Sequence, residues 1–170
     1  MIQNNEWSKR FRNHGEKDFK FIVGNESIEV HKFFLTLQST VLSAMLENTN
    51  FKETQTGEMK IDGFKFETIK AVVGFCYGED ISSFMESTRN AIDLLMFAEM
   101  YDMDNLKDSI AEYYSTKLTK ENVADIYKVS RETNAPKLRG VCFDFIYSIP
   151  KSERTAFVQA NLDPAIHDLF

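Results

Sequence analysis

The chain has 170 residues, of which 43% are hydrophobic and 27% are charged, and its formal net charge is −6. This length and composition indicate a globular protein with one sizeable core, or one core and a small helical appendage. The negative charge argues against a nucleic-acid partner, because nucleic-acid-binding domains usually carry a basic patch. No apolar run is long enough for a membrane span or a signal-peptide core, so we expect no membrane partner and a cytoplasmic or nuclear location.

The first 17 residues are mostly polar. Trp7 and Phe11 lie four positions apart, as neighbours on one face of a helix do. The segment is therefore either a short amphipathic helix or a frayed terminus, since terminal residues are often disordered.

A β-hairpin is the first predicted structure in the body of the chain. Apolar residues alternate with other residues from Phe19 to Val23, and Ile28 and Val30 repeat that alternation. Gly24 and the asparagine after it tolerate the positive φ angles of a tight turn.

Helices follow the hairpin. Apolar residues after His31 fit a helical face that ends in polar residues near Ser39, and a second helix covers 41–46. A polar stretch over 48–58 contains one aromatic residue, Phe51. Met59 and the isoleucine two positions later predict a third strand.

The segment from Phe66 to Leu118 predicts a run of helices with apolar residues at spacings of three and four. The first ends near Gly78, and a loop or short strand over 80–88 leads to the next, for which Ser87 or Thr88 is a plausible N-cap. Asp104 predicts the cap of the last helix in this run.

The remainder predicts a separate small helical unit. Thr119 is expected to cap its first helix, Pro136 lies in the first turn of the next, and Pro150 ends that helix. A short turn is expected from Asp163 to Phe170.

The order of these elements and several short strings resemble the BTB (POZ) domain. His31-Lys32 matches the pair through which the family passes from its two strands into a helix. Residues 39–46, STVLSAML, match the family's next helix, and residues 59–80 and 90–118 resemble its later segments. The resemblance implies an α+β fold in which a small three-stranded sheet is flanked by helices.

The resemblance also divides the chain. It assigns 18–118 to the BTB domain, leaves 1–17 as a possible dimer-forming helix, and makes 119–170 a C-terminal helical extension. Within that extension, 119–149 resembles the opening 3-box helices of BACK domains. The nearest group is the BTB half of MATH-BTB adaptors such as speckle-type POZ protein. A departure is Gly78-Glu79, which stands where the family usually has Thr-Gly.

The resemblance implies a cullin-binding site. Phe51-Lys52-Glu53 matches the φ-x-E signature that cullin-3-binding BTB domains carry on the loop after the helix over 41–46. An apolar anchor with a carboxylate at its margin suits a protein groove, although a solvated loop would show the same three letters. Tyr77, Val123 and Tyr127 border the same face in the family, and each is at least as compatible with a core position.

The resemblance also implies a homodimer. In the family, the N-terminal helix and the helix after His31-Lys32 meet their symmetry mates. The corresponding residues here are Trp7, Phe11, Phe33, Phe34 and Leu37. Large aromatic side chains that a small domain cannot bury alone suit such an interface, and packing within one domain is the alternative for any one of them.

No pattern predicts an enzyme, a metal site or a cofactor. The sequence shows no Gly-rich phosphate loop, paired-carboxylate motif or Ser/His/Asp arrangement. His31 has no nucleophile at a suggestive spacing and is interpreted as a structural residue. Cys76 and Cys142 lie in apolar helical patterns and are interpreted as reduced core residues.

The leading hypothesis is therefore a substrate adaptor of a cullin-3 ubiquitin ligase. It would dimerise and bind the cullin-3 N-terminal domain, with a protein substrate that the sequence does not identify. A BTB scaffolding domain without cullin binding is the alternative. A Skp1-type adaptor is a third hypothesis, but the specialised C-terminal helices that it needs are not clear after Thr119.

Overall fold

The structure is a computed structural model that describes residues 6–164 and residue 167, with the backbone alone for residues 6–9. The chain divides into two compact units, the first ending at Leu106 and the second beginning at Lys107. The expected domain boundary after Leu118 stays a prediction.

A three-stranded mixed sheet lies in the first unit, with the strand order β2-β1-β3 in the described residues. β1 (Phe19–Val23) and β2 (Glu26–Val30) form the predicted antiparallel hairpin, and Gly24 at its turn has a φ of 59°. β3 (Glu58–Lys60) runs parallel to β1. The alternate residues of β1 are buried, as the spacing of two predicted.

Helices make up most of the rest of the first unit. In chain order, the helices described here are α1 (Glu6–Asn13), α2 (Lys32–Thr36), α3 (Thr40–Glu47), α4 (Lys52–Thr56), α5 (Phe66–Cys76), α6 (Ser82–Met85), α7 (Thr88–Met100) and α8 (Asp104–Tyr114), the last of which crosses the unit boundary.

The Ser39 side chain fixes the start of α3. Its hydroxyl oxygen accepts a hydrogen bond from the backbone N–H of Leu42 at 2.9 Å and donates one to the Tyr101 carbonyl at 2.5 Å. The first bond satisfies one of the free N–H groups of the helix, and the second joins α3 to the end of α7.

The second unit contains most of α8 and, in the part of the chain that is described, three further helices: α9 (Val123–Glu132), α10 (Pro136–Ser148) and α11 (Lys151–Asn161). α9 packs against α10, and the ring centroids of Tyr127 and Phe143 lie 5.4 Å apart. The buried residues of the second unit include Ile126, Leu138 and Val158.

The structure confirms the α+β fold with a small three-stranded sheet and a C-terminal helical region, and it corrects several local predictions. The sequence did not predict α4, α6 or α11. α9 begins at Val123 rather than beside Thr119, whose backbone N–H instead donates to the Asn122 side chain at 2.8 Å. Asp104 is the first residue of α8 rather than its cap. Leu169 and Phe170, at the end of the predicted last turn, lie outside the described residues.

Both cysteines are free and buried, as predicted. Among the helices that the structure describes, none combines the length and the apolar character that crossing a membrane requires.

Candidate protein-interaction surfaces

Phe51 lies at the N-cap of α4, and 43% of its surface is exposed. Its backbone is extended, with φ −78° and ψ 139°, so the chain changes direction there before the helix begins. Its aromatic side chain lies at the surface of the unit rather than in its core. It therefore presents an apolar group to solvent.

Glu53 lies two residues later, in the first turn of α4, where a carboxylate interacts favourably with the free N–H groups of the helix. Glu53 is half-buried. Its carboxylate lies close enough to Tyr101 to affect the pKa of the Tyr101 hydroxyl. Burial raises the pKa of the Tyr101 hydroxyl, and the Glu53 carboxylate raises it further. We call Phe51 and Glu53 the α4 surface; Tyr101 beside Glu53 is buried, with 8% of its surface exposed.

Two side-chain hydrogen bonds fix the position of α4. The Thr54 hydroxyl donates to the carbonyl of Met45 in α3 at 2.6 Å, and the Gln55 side-chain amide donates to the Thr49 carbonyl at 2.9 Å. Gly57, with a φ of 69°, ends the helix and donates its N–H to the Glu53 carbonyl. The α4 surface is therefore held by the rest of the unit rather than by the five residues of α4 alone.

Tyr77 is buried, with 1% of its surface exposed, and it does not share the exposure of Phe51. Its hydroxyl accepts a hydrogen bond from the His31 backbone N–H at 2.9 Å and lies 2.6 Å from His31 Nδ1. Burial raises the pKa of the Tyr77 hydroxyl. These contacts give His31 and Tyr77 a role in packing; a direct cullin contact by Tyr77 stays a prediction.

Val123 and Tyr127 are also buried, each within the second unit. Their side chains contribute to the packing of α9, so the structure does not present them as exposed contact residues. Their assignment to a cullin-binding face stays a prediction.

Three of the predicted dimer residues form an exposed apolar set. Phe11, Phe33 and Leu37 are each between 56% and 62% exposed, and we call them the aromatic patch. Phe34 is half-buried, with its ring 4.5 Å from that of Tyr77 and 6.1 Å from that of Phe11. Phe34 therefore contacts both Phe11 of the aromatic patch and the buried Tyr77. The side chain of Trp7 lies outside the described residues.

Met96 and Met100 are 46% and 57% exposed on α7, and no motif in the sequence singled them out. Their spacing of four puts them on one face of the helix. The available signal was that apolar positions on two faces of 88–100 exceed what one buried stripe needs. Flexible, polarizable methionines are common at protein-binding surfaces.

No three His, Cys, Asp or Glu residues within the described ranges come together in a way that could hold a metal ion. The first unit instead carries exposed apolar side chains on or beside α1, α2, α4 and α7. Exposed apolar groups of this kind are typical of a protein-interaction domain.

The profile of the BTB/POZ domain matches residues 9–118, about two thirds of the chain. The chain belongs to the BTB/POZ family, which confirms the resemblance inferred from its sequence. Members of this family are typically protein-interaction modules, and the family membership supports dimerisation and protein partners.

Relatives include two proteins of Caenorhabditis elegans and one of Arabidopsis thaliana. BTB and MATH domain-containing protein 42 is 30% identical over 73% of this chain and 30% of its own length. Protein maternal effect lethal 26 is 27% identical over 79% of this chain and 34% of its own length. BTB/POZ and TAZ domain-containing protein 1 of Arabidopsis is 28% identical over 88% of this chain and 42% of its own length. The chain thus spans well under half the length of these curated relatives.

Proposed function

We propose that this chain is the adaptor module of a cullin-3 ubiquitin ligase, and that it binds the cullin N-terminal domain through the α4 surface. The observation that carries the proposal is the exposure of Phe51 at the start of α4, with Glu53 two residues later. These two residues match the φ-x-E signature that cullin-3-binding BTB domains carry after the helix that corresponds to α3.

The chemistry of the α4 surface suits a protein partner. Interface energy concentrates in a few aromatic or large side chains that enter a pocket and exclude water, with polar groups at the margin. Phe51 supplies the anchor, and Glu53 supplies the polar margin.

The proposal also includes a homodimer formed through the aromatic patch. Exposed aromatic residues on neighbouring elements suit a two-fold interface, in which one patch meets its own copy. A dimeric adaptor would present two α4 surfaces. We also propose a location in the cytoplasm or the nucleus, where such an adaptor would act.

Relatives whose names combine BTB with MATH favour an adaptor over an isolated scaffold, because such proteins carry a second domain beside the BTB domain. The whole adaptor would then join a cullin on one surface to a protein substrate on another.

The test is a pull-down against a panel of cullin N-terminal domains, followed by calorimetry with the one that binds. We expect Phe51→Ala to weaken cullin-3 binding about 30-fold or more, as the loss of an interface hot spot does. Glu53→Lys should weaken it strongly, because it reverses the charge at the margin. Lys52→Ala is the matched control, since Lys52 is an exposed residue of the same turn.

Wild-type affinity in both Phe51→Ala and Glu53→Lys would overturn the site. Failure of the wild-type protein to bind any cullin, while light scattering shows a dimer, would replace the ligase adaptor by the scaffolding alternative.

A further inference from the structure

The C-terminus of α5 ends in a Schellman motif that turns the chain back on the helix. Gly78 has a φ of 70°, and its N–H donates to the Phe75 carbonyl at 2.8 Å. The N–H of Glu79 donates to the Gly74 carbonyl at 2.9 Å. These two bonds place residue 79 beside residue 74, where a hydrophobic contact frequently accompanies this motif.

Residue 74 is a glycine, and its missing side chain provides the space that Glu79 occupies. A Cβ atom added at Gly74 would lie 2.9 Å from Glu79 Oε2 and 3.7 Å from Ile81 Cγ2. The first distance is too short for a real contact, so a side chain at residue 74 would make the Glu79 carboxylate, the far end of a flexible side chain, shift. Gly74 therefore lets the carboxylate keep this position across the last turn of α5.

From this position the Glu79 carboxylate forms an ion pair with Arg12 in the last turn of α1. Only 23% of the Arg12 side chain and 29% of the Glu79 side chain are exposed, so solvent screens the pair less than a fully exposed one. The Arg12 guanidinium also lies over the Tyr77 ring, 5.7 Å from its centroid. That ring is fixed by the hydrogen bonds between Tyr77 and His31.

α1 depends on such contacts because it is short. It has eight residues, whereas isolated helices of fewer than about 12 are marginal in water even with favourable sequences. Phe11, one residue before Arg12, touches the body of the unit at Phe34 but stays largely exposed. The position of Phe11 in the aromatic patch therefore depends on how firmly the last turn of α1 is held.

We propose that Glu79 is a positioning residue that latches α1 to α5 of its own protomer and thereby fixes Phe11 within the aromatic patch. Gly74, Gly78 and Glu79 together form this latch. Its consequence for association rests on the homodimer proposed above: a second copy meets an aromatic patch whose α1 portion is already ordered. Pre-organisation of this kind strengthens binding because less conformational freedom is lost on association.

The test is hydrogen exchange of the α1 amides, measured by mass spectrometry on the full chain at a protein concentration at which it is monomeric. We expect Glu79→Arg, which places two cations together, to speed exchange in residues 9–13 about tenfold. Arg12→Glu should do the same. The double variant Arg12→Glu/Glu79→Arg should restore slow exchange, which a merely structural loss at either site would not do.

Glu86→Arg is the matched control, because it reverses an exposed glutamate outside the latch and should leave α1 exchange unchanged. Unchanged α1 exchange in Glu79→Arg, or no rescue in the double variant, would overturn the latch. Sedimentation equilibrium then tests its consequence separately, with about tenfold weaker dimerisation expected for Glu79→Arg. A wild-type protein that stays monomeric would refute the homodimer and leave the exchange result to decide the latch.

Discussion

At the scale of single residues, burial in the core determines how readily the Cys76 thiol loses its proton. Cys76 lies on the buried face of α5, and burial raises its pKa from an ordinary value of 9.0 to about 12. The thiolate, which is the reactive form, is therefore disfavoured in the folded protein. Cys142, in the second unit, has a pKa raised to about 12 for the same reason.

The raised pKa of Cys76 predicts a loss of stability at alkaline pH. Between about pH 9 and pH 12 the folded state keeps a proton that the unfolded state releases, so the free energy of unfolding falls as the pH rises. We expect Cys76 to account for about 1 kcal/mol of the decrease between pH 8 and pH 10. Urea titrations at the two pH values should show a decrease smaller by this amount in Cys76→Ala, with Cys142 as a constant background. Equal decreases in both proteins would contradict the prediction.

At the scale of elements, α4 shows why exposure alone does not make an interaction surface. It has five residues, none of them buried, and it keeps its place through the bond from Thr54 to the Met45 carbonyl. A helix this short has little stability of its own. The precision of the α4 surface therefore depends on its connection to α3.

Thr54→Val is expected to loosen α4 without unfolding the protein. It removes one hydrogen bond and keeps a similar shape, which costs about 1 kcal/mol. We expect faster hydrogen exchange in residues 52–56 and about fivefold weaker cullin-3 binding. Thr56→Val is the matched control, because the Thr56 hydroxyl makes its hydrogen bonds within residues 52–58, to the carbonyls of Lys52 and Glu58 and from the N–H of Glu58, and not to α3. Equal effects of the two substitutions would show that the contact with α3 does not position the surface.

The elements that the sequence predicted are those in which apolar residues recur at a regular spacing. Alternation predicted β1 and β2, and spacings of three and four predicted α5 and α7. α4 and α6 carry too few buried residues to show such a period. α11, whose buried residue is Val158, was not predicted. Pro150 indicated the end of α10, but it is also the N-cap of α11.

The candidate sites also divide into one that the sequence predicted and one that it did not. Phe51 and Glu53 could be predicted because they are close in sequence and match a family signature. The ion pair between Arg12 and Glu79 could not, since it joins residues far apart in sequence through a turn that depends on the φ of Gly78. The departure from Thr-Gly at this point was visible in the sequence, but its consequence required the fold.

At the scale of the whole molecule, the two units differ in charge. Residues 1–106 carry 17 acidic and 11 basic side chains and residues 107–170 carry 9 of each, together the 26 and 20 of the chain. The first unit therefore holds the entire net charge of −6. Two copies that associate through the aromatic patch bring two such units together.

This asymmetry predicts that the homodimer becomes tighter as salt increases. Apolar contacts hold the patch together while like net charges oppose it, and added ions screen that repulsion over a distance of about 10 Å at 0.1 M. We expect the dimer dissociation constant to fall about threefold between roughly 20 mM and 300 mM sodium chloride in sedimentation equilibrium. The double variant Glu26→Gln/Glu86→Gln, which removes two exposed negative charges, should show a shallower dependence. A dimer that weakens with salt would instead indicate that ion pairs between the copies outweigh the repulsion of their net charges.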